Sequence, residues 1–255
     1  MKASTMLFTF YDWLIADSSL PKGSGLYCPT HIVLIFILFG WIVASFFIFK
    51  KYKNFAFKLT KFLCWFMVIS RIFRMCLLFF TKTNTLVEVL PWHLCHLMAF
   101  IFPLFYLTKT KKFFLPILCV TFFGGILTFV FGDYYQYSIF TFLDIESILL
   151  HFMMVTVVTS CVATGYFEIN LKETWQIPII LVLLIAHASL GNYFCKDQNF
   201  LFLRENGLPF NLFPGHSHLY TYIILVLFLT TITIVPLLII QYFKNKHKYK
   251  YYVIG

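Results

Sequence analysis

The chain has 255 residues, 60% of them hydrophobic and 12% charged, and a mean hydropathy of +0.84. A soluble domain carries roughly 25% charged residues, so a water-soluble globular enzyme is excluded. The formal charge of +10 raises the question of nucleic acid, which the position of the basic residues answers below.

In chain order, residues 1–30 come first and include "TMLFTFYDWLIADSS", an aromatic, amphipathic stretch expected to lie in the membrane interface outside the cell. Asp12 and Asp17 interrupt the only candidate apolar core for a cleavable signal peptide, so none is expected. Seven apolar segments follow near 31–49, 62–80, 88–107, 113–132, 145–166, 176–194 and 218–243. At about 1.5 Å per residue each is long enough for a hydrocarbon core of roughly 30 Å. Pro91, Pro103 and Pro116 fall in the third and fourth, which membrane helices accept when neighbours satisfy the freed carbonyls. Residues 244–255 form a basic tail. The expected fold is all-α: one polytopic bundle of about seven transmembrane helices over 31–243, without internal repeats or a soluble domain.

Orientation follows from the lysines. Lys50, Lys51, Lys53, Lys58 and Lys61 are expected in the loop after the first span. Lys109, Lys111 and Lys112 follow the third, Lys172 the fifth, and the tail "KNKHKYK" adds four more. Only Lys2, Lys22, Lys82, Lys196 and Arg204 lie opposite. The rule that basic loops stay inside puts the N-terminus outside and the C-terminus in the cytoplasm of a multi-pass protein of the cell membrane. Topology and anionic headgroups therefore account for the charge, and no nucleic-acid partner is expected. The seven cysteines stand singly, without CxxC pairs or zinc-like spacing, so neither a disulfide framework nor a metal is expected. His216 and His218 form an isolated H-x-H, too few ligands for a metal site.

Polar residues inside the spans share one depth. Counting inward from the outer boundary, Cys95 of the third span and His151 of the fifth lie about seven residues deep, roughly 10 Å. His187 of the sixth lies at the same level, with Arg74 and Arg71 of the second about six and nine residues deep. Ionisable side chains at such depth are costly and normally face the bundle interior at a functional site. Each also has a bland reading: a histidine bridging two helices, an arginine snorkelling to the interface, a cysteine filling space. Within "LPWHLCHL" (90–97), His93 and His96 are three apart and share a helical face, whereas Cys95 points elsewhere. A nucleophilic Cys95 therefore needs a base from another helix, His151 or His187. The alternative makes His93 the base or acyl carrier and Cys95 packing. Arg71 and Arg74 suit a phosphate or an oxyanion, with His96, Asn192 and Tyr193 supplying further substrate contacts.

At "LPWHLCHL" and "GNYFCKDQNFLFLRENG" the chain resembles the YwaF-like family of bacterial integral membrane proteins. The matching positions are Leu90, Pro91, His93, Leu94 and Cys95, then His151, then Asn192 and Tyr193 with Leu201 or Leu203. Two departures are His96, where the family commonly has an acid, and Trp92, the position beside His93 at which a eukaryotic relative's cysteine aligns in place of Cys95. That family is grouped with a eukaryotic multipass phospholipid acyltransferase, so the resemblance implies acyl transfer. The expected function is then movement of a fatty acyl chain from a membrane phospholipid to another lipid or a lipoprotein, without a cofactor. The site residues are Cys95, His93, His151 and His187 for catalysis and Arg71, Arg74, Asn192, Tyr193 and His96 for substrate. The rival is a transporter or solute-binding subunit whose cations hold an anionic substrate.

Overall fold

A computed structural model of the chain describes residues 27–81, 89–131, 141–167 and 170–195, together with 13–14, 200, 230–231 and 234–235. Within these residues the chain is all-helical. Six helices carry it: α1 (Pro29–Lys51), α2 (Lys53–Thr81), α3 (Leu94–Leu107), α4 (Phe114–Phe131), α5 (Phe142–Thr164) and α6 (Gln176–Phe194). All but α3 are long and apolar enough to cross a membrane. The expected seventh span, the interfacial N-terminal stretch, the tail and the H-x-H lie outside the described residues, apart from the short pieces above.

Local chemistry sets the helix ends. Pro29 opens α1, where a missing N–H costs nothing. Thr141 and Asp144 form a reciprocal capping box on α5, and Gly165, at φ 73°, ends that helix in the left-handed conformation. The box starts α5 at Phe142 rather than at the expected 145.

Two other boundaries differ more. Lys53, Lys58 and Lys61 were expected in a loop, but they lie on α2, which begins one residue after the break at Tyr52. The cause is a buried stripe of Ala56, Thr60, Cys64, Met67 and Arg71, which recurs at helical spacing straight through the basic segment. The third span was expected to be helical from 88, yet α3 begins only at Leu94. Pro91 has no N–H and biases Leu90 away from helix, and the Trp92 N–H turns back to the Leu90 carbonyl at 2.8 Å. At 14 residues, α3 is about 21 Å long. The irregular segment before it buries Val89 and Trp92, as non-helical backbone at membrane depth requires.

The central element is α5. It packs against α1, α2 and α4 and touches α3, while α2 also meets α3, and α4 meets α3 and α6. Of its apolar window 72% is buried, against 17% in α1 and in α2, so the latter two expose most of their surface to lipid. Hydroxyls within α5 are satisfied locally: Thr156, Thr159 and Thr164 each donate to the carbonyl four residues back. At the Lys53 end of α2, Thr60 donates to Ser160 and Lys111 sits on the Tyr166 ring.

Gly125 lets α4 approach α5. A Cβ there would lie 2.9 Å from Val155 Cγ2 and 3.4 Å from the His151 carbonyl oxygen. Gly125→Leu is expected to separate the two helices and cost about 1–3 kcal/mol. A thermal melt of the detergent-solubilised protein reads this directly, and an unchanged midpoint would refute the close contact.

Candidate functional site

Ser70, Arg71 and Arg74 on α2 are placed toward the start of α5, where among the described residues Glu146 is the side chain that pairs with both guanidinium groups. Arg71 forms a salt bridge to Glu146 Oε2, and Arg74 Nη1 reaches the same oxygen at 3.2 Å. Ser70 donates to Oε1 at 2.6 Å, and Arg74 also donates to the Leu143 carbonyl at 3.1 Å. The Arg71 and Glu146 side chains are 2% and 6% exposed, that of Arg74 19%. The triad itself retains one positive charge, softened at longer range by Asp144. Burial of three charges is tolerable because the carboxylate accepts from all three neighbours.

The opening of α3 faces this triad. His93 is the N-cap residue, and its carbonyl accepts the first helical bond, from Leu97 at 3.0 Å. The N–H groups of Leu94, Cys95 and His96 therefore precede the helical ladder and form the positive end of the helix dipole. Cys95, in this first turn, is half-buried and lies within the field of Arg71 and Arg74. His96 feels both arginines, His93 and His151, and His151 in turn feels both arginines and His93. The His93 and His96 rings meet at 5.1 Å.

Hydrogen bonding assigns the tautomers. His151 Nδ1 lies 2.6 Å from the Ser147 carbonyl oxygen, which can only accept, so Nδ1 carries the proton and Nε2 the lone pair. His187 Nε2 lies 3.1 Å from the Pro91 carbonyl oxygen and carries its proton by the same logic.

The structure thus brings Arg71, Arg74, His93, Cys95, His96 and His151 together. His187 sits in an adjoining cluster on α6, its ring 5.0 Å from Trp92. There Trp92 lies so close to Gly191 that a Cβ would be 2.8 Å from the indole. The Asn192 carboxamide makes two hydrogen bonds, accepting from the Phe200 N–H at 2.7 Å and donating to the Phe200 carbonyl at 3.0 Å. Tyr193 is 74% exposed. Sequence reasoning did not find Glu146, Ser70, Trp92, Gly191 or Phe200. Glu146 carried a usable signal: an acid within an apolar span, opposite two arginines on another. No group of His, Cys, Asp and Glu among the described residues could hold a metal ion.

The model of the TMEM164 family matches residues 26–242, nearly the whole apolar region. No curated protein and no solved structure matches the chain.

Proposed function

The chain belongs to the TMEM164 family, a multipass membrane family, and we propose that it is an acyltransferase of the cell membrane that acts on phospholipid. The observation that supports this reading is a thiol, Cys95, in the N-terminal turn of α3 close to Arg71 and Arg74, with His96 next to it in the chain. The resemblance to the YwaF-like family, and its grouping with a eukaryotic phospholipid acyltransferase, points the same way. The proposed arrangement has seven spans, the N-terminus outside, the C-terminus in the cytoplasm and the site in the outer half of the bilayer.

In this reading His151, through its Nε2 lone pair, takes the thiol proton directly or by way of His93 or His96. His187, on the neighbouring helix α6, is the second candidate for that role. The thiolate attacks the ester carbonyl carbon of the donor lipid; a C–S bond forms and an electron pair moves onto oxygen. The helix N-terminus and Arg74 stabilise that oxyanion. Collapse breaks the C–O bond, and the departing lysophospholipid alkoxide takes the proton back from the imidazolium. A hydroxyl or amine of the acceptor, another lipid or a lipoprotein, then attacks the thioester. Its proton passes to the imidazole and on to the released thiolate. Arg71 and Arg74 hold the lipid phosphate, and Asn192 and Tyr193 stand at the mouth.

Intact-mass and peptide mass spectrometry after incubation with labelled phospholipid tests this. The expected product is an acyl thioester on Cys95, discharged to a lysolipid or a diacyl lipopeptide. No adduct and no transfer to either acceptor would defeat it.

One observation favours a second reading. The broken start of α3 aims a helix N-terminus at the arginines, as discontinuous helices of transporters do toward anionic substrates. Binding of a soluble anion that survives Cys95→Ala and is lost in Arg71→Ala, with no thioester in the wild type, would select the transporter.

A further inference from the structure

His93 is exposed, and its side chain does not cap its own helix. No hydrogen bond to the start of α3 therefore fixes the direction of its imidazole. Two rings bracket it instead: His96 at 5.1 Å, and Phe200 at 4.7 Å and 83°, edge to face. An edge-to-face contact fixes ring orientation only as well as the partner ring is itself held. Phe200 is held at both of its peptide groups by the single carboxamide of Asn192. Asn192 and Phe200 are 5% and 3% exposed, so water does not compete for those bonds.

The residue before His93 is fixed from the same turn of α6. Trp92 lies on the bare Cα of Gly191, with His187 and Phe194 against its indole. His187 also ties down the Pro91 carbonyl. The last two turns of α6 thus grip the chain at His93, at the preceding backbone through Pro91 and Trp92 and at its ring through Phe200.

We propose that this end of α6 is a positioning device for His93. Asn192 acts through Phe200, while Gly191 and His187 act through Trp92, and together they hold the imidazole in place between Phe200 and His96. Asn192 is then a positioning residue, with both polar atoms of its side chain committed to the Phe200 backbone. The link to turnover rests on the acyl-transfer reading; the geometric claim does not.

The full chain in lipid nanodiscs is treated with diethyl pyrocarbonate, and carbethoxylation is followed residue by residue by mass spectrometry. His31 serves as the folding control, because it is buried and bonded to the Phe129 carbonyl at 2.7 Å. Asn192→Ala and Asn192→Asp are expected to speed modification of His93 roughly threefold or more while His31 stays protected. In the transfer assay Asn192→Ala is expected to lower kcat roughly 10- to 100-fold with KM little changed. In a His93→Ala background it should cost almost nothing further, whereas a general loss of fold would cost the same in both backgrounds.

If Asn192→Ala exposes His31, the milder Phe200→Leu variant answers the same question. An unchanged His93 rate in folded Asn192 variants overturns the proposal, as does an undiminished penalty in the His93→Ala background. Absence of any acyl transfer by the wild type would remove the acyltransferase reading and leave the His93 reactivity result to decide this one.

Discussion

Cys95→Ala is expected to abolish acyl transfer, with kcat/KM falling on the order of 10³–10⁵-fold, a loss of about 4–7 kcal/mol in transition-state stabilisation. The thioester adduct should vanish with it. The expectation follows from position. Cys95 is half-buried in the first turn of α3, at the positive end of the helix dipole and in the field of Arg71 and Arg74. Cys64, Cys119 and Cys161 are buried in the apolar core between helices, where a thiolate has no support. Removing one sulfur from a half-buried site leaves a small void, worth no more than about 1–2 kcal/mol, so the variant should still fold. Cys64→Ala and Cys161→Ala provide the contrast: they should keep turnover and lose some stability. Full activity in Cys95→Ala would make that residue packing and move the carrier role to His93.

The bundle was legible because hydrophobicity at membrane length is a strong physical signal; α4 and α6 fall within one residue of their expected bounds. Less legible were the places where two rules compete. Between Lys53 and Lys61 the basic residues read as a loop, yet the buried stripe from Ala56 to Arg71 outweighs them, since lysine stems can extend along a helix into the interface. Before α3 the apolar run read as helix, yet Pro91 removes both a donor and the preceding residue's freedom. Arg71, Arg74 and His151 stood out because charge and imidazole are costly in lipid. Glu146 obeys the same rule but was masked by Asp144, whose position two residues earlier reads as the edge of the span. Gly191 and Phe200 could not be found in this way, because their roles depend on contacts with Trp92 and His93 about a hundred residues away in the chain.

Glu146→Ala is expected to cost about 3–5 kcal/mol of stability, the usual consequence of deleting one partner of a buried ion pair. Glu146 accepts from Arg71, Arg74 and Ser70, so its removal leaves two guanidinium groups in the interior without their shared carboxylate. Glu146→Gln keeps an acceptor for Ser70 and one guanidinium but loses the charge, and should fall between alanine and wild type. Arg71→Leu alone should be destabilising as well, though less, because Arg74 can still neutralise Glu146 at 3.2 Å. The double variant Arg71→Leu/Glu146→Leu separates structure from function. Exchange of a buried pair for apolar side chains is commonly neutral or favourable, so its melting temperature should recover part of the loss, Arg74 being left without its carboxylate. Its capacity to hold a lipid phosphate should not recover, because only Arg74 remains. Thermal melts of all four variants in one detergent, paired with retention on vesicles containing anionic lipid, check both halves. Equal melting temperatures for Glu146→Ala and wild type would mean that the triad does not form in the bilayer, and with it would go the electrostatic setting assigned to Cys95.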